Sequence, residues 1–327
     1  MEFVLLLFVL IFVLGAEFVN GWTDAPNAIA TVVSTRVLSP KVAVFLATVF
    51  NIAGAFSGTA VASTIGKGIV KPESIGLSTI AAAMIAIIFW STLAWKYGLP
   101  TSESHALIAG LTGAGFASGG VKVLLWAGWQ KVFIGLLFST FLGFIFAYII
   151  FLAIAWIFQK APISRVRKHF SRLQLLSAAF MAFAHGSNDG QKFIGIFSLA
   201  LLLGGITSEF IVPPWVILLC AIVMGFGTSV GGWRIIKTMG IKLTKLEPQH
   251  GFAAETAAAT AIEIASRTGI PLSTTHTINT SIMGVGAAQR LTGVRWLVAR
   301  NIVAAWILTF PICAIVAFIV AKILLAF

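Results

Sequence analysis

Two carboxylates stand in stretches that otherwise read as membrane-spanning helix. Asp189 sits in His185-Gly186-Ser187-Asn188-Asp189-Gly190-Gln191-Lys192, between the apolar runs that end in MAF and begin with FIGIFSLALLL. Asp24 sits in Asn20-Gly21-Trp22-Thr23-Asp24-Ala25-Pro26-Asn27, and the two motifs align at an offset of 165 residues. A bare charge in hydrocarbon is costly, so such residues face protein or a wet cavity. Carboxylate, the amides of Asn27 and Asn188 and unwound carbonyls are hard oxygen ligands, suited to Na⁺ at Asp24 and Asp189 or to a proton. Glu255, in GFAAETAAAT among small residues, is a third buried acid expected to serve the cation.

A second pair of motifs has a different chemistry. GLPTSESHALIAGLTGAG starts at Gly98 and GIPLSTTHTINTSIMGVG at Gly269. In each, a Pro precedes Ser or Thr and then a small-residue helix. Ser and Thr are good N-caps, and the helix start presents free N–H groups that attract an oxyanion without Arg or Lys. Two such starts would converge at the bilayer midplane. Thr101, Ser102, Ser104, Ser273, Thr274 and Thr275, with Asn27 and Asn188, are the expected anion contacts. The remaining polar residues read more plainly. Lys192 pairs with Asp189 or Glu255, or touches the anion, with pairing preferred. His105, His185 and His276 hold motif turns by hydrogen bonds. Glu17 and Glu263 are structural.

Two polar motifs repeated in order indicate an internal duplication, and interrupted apolar segments at matching places in two halves mark a carrier's binding site. The expected division is residues 1–158, a basic linker over 159–174 and residues 175–327. Composition agrees with a membrane protein: of 327 residues, 59% are hydrophobic and 10% charged, with mean hydropathy +1.01. The N-terminal apolar run lacks a basic flank and reads as a retained helix, not a signal peptide. Two cysteines in apolar stretches argue against a disulfide framework or a metal site. The net charge of +12 sits in short loops between apolar runs, which is membrane topology and not nucleic-acid binding.

Topology follows from the hairpins. If each PTSESH-type turn lies mid-membrane, its two helices form a re-entrant hairpin, each half crosses three times, and the halves are inverted. The loops around Arg36, Arg165–Arg172, Arg234–Lys245 and Arg290–Arg300 are then cytoplasmic. They outnumber the basic residues of the outer loops, Lys67, Lys71, Lys122 and Lys131, by roughly three to one. The fold class is therefore an all-α polytopic membrane protein with two inverted-topology repeats. Each repeat carries a broken helix and a re-entrant hairpin, and both termini are external.

The segments NGWTDAPNAIATVVSTR, FAHGSNDGQKFIGI, GTSVGGWRIIKTMG, GFAAETAAA and GIPLSTTHT resemble the inorganic phosphate transporter (PiT) family over almost the whole chain. The resemblance implies a secondary symporter of phosphate with Na⁺ or H⁺, working by alternating access, with the paired motifs forming the site. Thr23, where many members carry Asn or His, and Asn51, where eukaryotic members carry Glu, depart from the pattern and bear on the choice of cation. The missing central loop points to a bacterial or archaeal cell membrane. Expected partners are phosphate, a monovalent cation, lipid and a second copy in a homodimer; no cofactor is expected. A same-fold carrier of another tetrahedral oxyanion, such as sulfate, is the alternative. Phosphate is preferred because its proton can be donated to a carboxylate. An intramembrane hydrolase built on Ser102/His105 or Ser273/His276 is disfavoured, because a single dyad has no use for symmetric duplication.

The topology is tested by cysteines placed beside Lys168 and beside Phe327. An impermeant thiol reagent added outside should label the second and spare the first; the opposite pattern overturns the orientation.

Overall fold

Long apolar runs in this chain satisfy their backbone hydrogen bonds within helices, as hydrocarbon demands. The computed structural model describes residues 2–326. Met1 and Phe327, the ends of the two expected halves, lie outside the described residues. The first half holds α1 (Glu2–Ser34), α2 (Pro40–Ala55), α3 (Ala60–Gly68), α4 (Leu77–Tyr97), α5 (Glu103–Gly119), α6 (Trp126–Leu137) and α7 (Gly143–Ile157). The second holds α8 (Ile163–His185), α9 (Gln191–Leu203), α10 (Pro214–Val230), α11 (Trp233–Lys237), α12 (Pro248–Arg267), α13 (Thr274–Gln289) and α14 (Trp296–Leu324). Single π-turns join α6 to α7 at Phe138–Leu142 and α8 to α9 at Gly186–Gly190. Among the described residues, five helical segments are long and apolar enough to cross a membrane. Counting two bent pairs as spans gives up to seven, the pair α2–α3 bending by 70° and the α10–α11 pair by 60°. The protein is an all-α, multi-pass membrane protein.

The breaks are not where the sequence placed them. α1 runs through Asp24 without interruption, with Pro26 inside it. At Asp189 the chain makes a π-turn and continues as helix. The unwound carbonyls expected beside both carboxylates are therefore absent from the described residues, and the real bends fall in the second spans. The motif glycines have another task. A Cβ on Gly21 would lie 2.2 Å from the carbonyl oxygen of Met224 in α10. A Cβ on Gly186 would lie 2.1 Å from that of Asn51 in α2. Each glycine lets the first helix of one half touch the second span of the other, backbone to backbone.

The hairpins exchange partners in the same way. α5 packs against α14, and α13 against α7. Gly113 and Gly284 make those contacts close: a Cβ on either would stand 2.0 Å from Ala314 O or 2.3 Å from Phe144 O. Two isolated bridges, Val70 to Leu124 and Thr244 to Val294, tie matching loops. The apolar interior is split into two clusters. One takes Ala16 of α1 with much of α4, α5 and α9; the other takes Ala28 of α1 with much of α8, α12 and α13. On α1 and along α8–α9 the change from one cluster to the other falls at the two acidic motifs.

The close approach gives a stability test. Gly186→Ala overpacks the crossing and should cost about 1–3 kcal/mol, seen as a lower Tm in detergent. Gly76→Ala, whose Cβ would meet nothing within 4 Å, should leave Tm nearly unchanged. Equal Tm values for both variants would contradict the packing role.

Candidate functional site

Four segments bring their polar side chains to the seam between the two apolar clusters: the middle of α1, the π-turn before α9, and the starts of α5 and α13. Ser102 and Ser273 are the N-caps of the last two, each accepting from the backbone N–H three residues on, His105 at 3.3 Å and His276 at 3.2 Å. These hydroxyls are therefore acceptors within their own turns. The first-turn amides of Glu103, Ser104, Thr274 and Thr275 have no intrahelical acceptor, as at any helix start. The two starts meet. Ser104 donates to Leu272 O at 3.0 Å, and the rings of His105 and His276 lie 4.6 Å apart, edge to face. His276 is stacked on Trp306 at 3.7 Å. The two histidines pack against each other and their neighbours. Nδ1 of His105 and both nitrogens of His276 find no hydrogen-bond partner among the described residues.

A continuous network joins the starts to the acidic motifs. Asn27 donates to Thr275 at 2.9 Å and to Thr274 at 3.3 Å. Thr275 donates to Asp24 at 3.3 Å, and Thr274 donates to Asp189 at 2.7 Å. Lys192 pairs with Asp189, donates to Ser104 and reaches Leu272 O at 3.0 Å. His185 Nε2 lies 3.1 Å from Asp189, while its Nδ1 meets Asn51 Oδ1 at 3.2 Å. Ligand atoms of Asp24, His185 and Asp189 all fall within 4.8 Å of one another, a spacing one small cation can span. All of these side chains are buried.

The structure gathers most of the expected residues, but not all. Asp24, Asn27, Ser104, Asp189, Thr274 and Thr275 share the network, and Lys192 chooses Asp189. Asn188 turns away to Ser266 at 3.0 Å and to Ile270 O at 3.3 Å. Thr101 is buried beside the Ser102 cap. Glu255 is held elsewhere, by Ser177 and by Gln174 at 2.9 Å. Glu17 accepts from Asn20 at 3.0 Å, and Glu263 pairs with Arg267 at 2.7 Å.

Sequence reasoning missed Glu103. It accepts from Thr23 at 2.8 Å and from Ser91 at 2.7 Å, and so puts a third carboxylate against α1. The signal was an acid in the first helical turn, where the helix dipole favours one. Comparing the repeats hid it, because its counterpart is the neutral Thr274.

Three carboxyl groups, those of Asp24, Asp189 and Glu103, thus stand with a single lysine, Lys192, and with His185 3.1 Å from Asp189. Breaking a buried pair by removing one partner costs about 3–5 kcal/mol, because the other charge stays buried. Lys192→Met should accordingly lower Tm sharply. Adding Asp189→Asn should restore much of the loss, a coupling that a double-mutant cycle reads directly. Additive losses would mean the two side chains do not act as a pair.

Known proteins share this sequence and this fold. The model of the Phosphate transporter family matches residues 20–317. A Rhizobium meliloti protein named "Probable low-affinity inorganic phosphate transporter" is 46% identical over 92% of this chain and 90% of its own length. A Bacillus subtilis protein of the same name is 41% identical over 96% of each chain. A solved structure titled "The sodium-dependent phosphate transporter" superposes with a TM-score of 0.90 and 25% identity, covering 99% of both chains.

Proposed function

Because the chain belongs to the phosphate transporter family, whose members are transporters and not enzymes, we propose that it is a secondary symporter that moves inorganic phosphate with Na⁺ or H⁺ through the cell membrane. The observation that supports this most is the charge imbalance at the meeting of the two helix starts. Amide N–H groups and the Lys192 ammonium draw an oxyanion there. Asp24, Asp189 and Glu103 oppose it. A bound cation or proton removes that repulsion, so anion and cation bind with positive and reciprocal coupling.

Roles follow from position. The amides at the starts of α5 and α13 hold the phosphate oxygens, and the hydroxyls of Ser104, Thr274 and Thr275 join them by turning from Leu272 O, Asp189 and Asp24 as the anion binds. Ser102 and Ser273 orient those starts, and Thr101 shapes the turn. Asp24 and Asp189 hold the cation, with Thr275 oxygen and the Asn27 amide beside it. The missing helix break moves this site from unwound carbonyls to side chains. Na⁺ is favoured as the coupling ion because a structural relative is titled a sodium-dependent phosphate transporter. A hydrogen phosphate proton can be given to a carboxylate, which sulfate cannot match; this favours phosphate.

Alternating access is proposed to come from the two halves, residues 1–158 and 175–327, moving about the shared site. They are read as inverted repeats, because each hairpin packs on the last span of the other half. Asn188 supports the second hairpin turn in this account, and Glu255 lies off the cation site.

The test is uptake of labelled phosphate into proteoliposomes. A Na⁺ gradient or an inward proton gradient should drive it, and excess sulfate should leave it unaffected. Asp24→Asn should lose the stimulation of phosphate binding by that cation, measured by calorimetry across Na⁺ and pH titrations. Uptake that ignores both gradients, or Asp24→Asn and Asp189→Asn proteins with wild-type cation dependence, would refute symport through these carboxylates.

A further inference from the structure

Glu255 and the basic ends of several helices take no part in the site above, yet they are linked. A cavity of about 590 Å³ opens between the end of α1, the α11 segment and the start of α12. Arg36, Arg167, Lys245 and Arg295 line it. Among the described residues none of these four pairs with a carboxylate within 4.0 Å. The one acid in the wall, Glu247, accepts from Gln249 at 2.8 Å and caps α12. The cavity is thus a concentration of unneutralised positive charge, which draws anions.

Its inner wall leads to the phosphate site. Thr35 lines the cavity and donates to Gln174 at 2.9 Å. Gln174 donates in turn to Glu255 at 2.9 Å. Gln174 is seated on Gly251, where a Cβ would stand 2.0 Å from its amide nitrogen. Along α1 and the turn that ends it, Asp24, Asn27, Thr31 and Thr35 recur at helical spacing and are all buried. A polar stripe therefore runs from the anion site, past Glu255 and Gln174, to the basic cavity.

We propose that the cavity is a second anion site, for inorganic phosphate at the cytoplasmic face, and that Gln174 is the latch closing the stripe between it and the midplane site. The proposal rests on the transporter reading. The four cations hold the oxyanion as it leaves or enters on the inside. When Gln174 swings off Thr35 and Glu255, the α1 stripe becomes the passage.

The full-length chain, reconstituted in vesicles of both orientations, tests this with inorganic phosphate as the probe. Arg36→Gln combined with Arg167→Gln should raise the KM for phosphate on the cytoplasmic side by about fivefold, from two lost surface charges. The KM on the outer side should not move. Thr31→Cys should react with a small anionic thiol reagent from the cytoplasmic side, faster when Gln174→Ala is added and slower with phosphate present. The native Cys220 and Cys313 are buried and give the background. The labelling arm stands even if the double arginine variant does not fold. KM values unchanged on both sides, changed equally on both, or a Thr31→Cys protein unreactive from the cytoplasm with and without Gln174→Ala, would overturn the proposal. A wild-type protein that moves no phosphate would overturn the transporter reading itself, and is distinguished by failing before any substitution.

Discussion

Everything at the centre of this protein depends on keeping three carboxyl groups out of water with a single lysine among them. Asp24, Asp189 and Glu103 are each at most 3% exposed, against one fully buried ammonium at Lys192. Buried charge survives only when paired and hydrogen-bonded, and here the pairing is incomplete. Hydroxyls from Thr23, Ser91, Thr274 and Thr275 satisfy carboxylate oxygens without neutralising them. In the symport proposed above, a cation or proton would correct that imbalance and make room for an anion at the neighbouring helix starts. Under that proposal the coupling of two ligands would need no distant linkage, because they would share one electrostatic deficit.

Holding such a cluster dry requires helices that nearly touch. The motif glycines at 21 and 186 set two helix crossings, and those at 113 and 284 set the hairpins against the outer spans. Each contact joins one half to the other. The two histidines at the hairpin starts meet ring to ring, and Trp306 stacks on one of them and donates to Pro100 O at 3.0 Å. The site is therefore built at the interface between halves, where relative motion would reshape both ligand shells at once.

Much of this was legible in the sequence. Duplicated Asp motifs and duplicated Pro-Ser/Thr turns named most of the network, because a polar residue kept in hydrocarbon needs a reason. What failed was the use of glycine as a marker of unwinding. In Gly21 and Gly186 the small side chain serves a neighbouring backbone, and only packing reveals that. Glu103 escaped because repeat comparison favours residues present twice. By residue type Asn188 was grouped with both the anion and the cation and Glu255 with the cation, but they bond to Ser266 and to Gln174. Asn51, noted only as a departure, proves to hold His185.

The central claim is that one oxyanion binds where α5 and α13 begin, beside Asp24 and Asp189. Anomalous scattering from crystals grown with arsenate, a heavier tetrahedral stand-in for phosphate, would locate that anion directly. The account predicts an arsenic peak between the two helix starts, placed so that the oxygens around it lie within hydrogen-bonding distance of the amides of Ser104 and Thr275. A fully occupied peak elsewhere, with none between those helix starts, would contradict it.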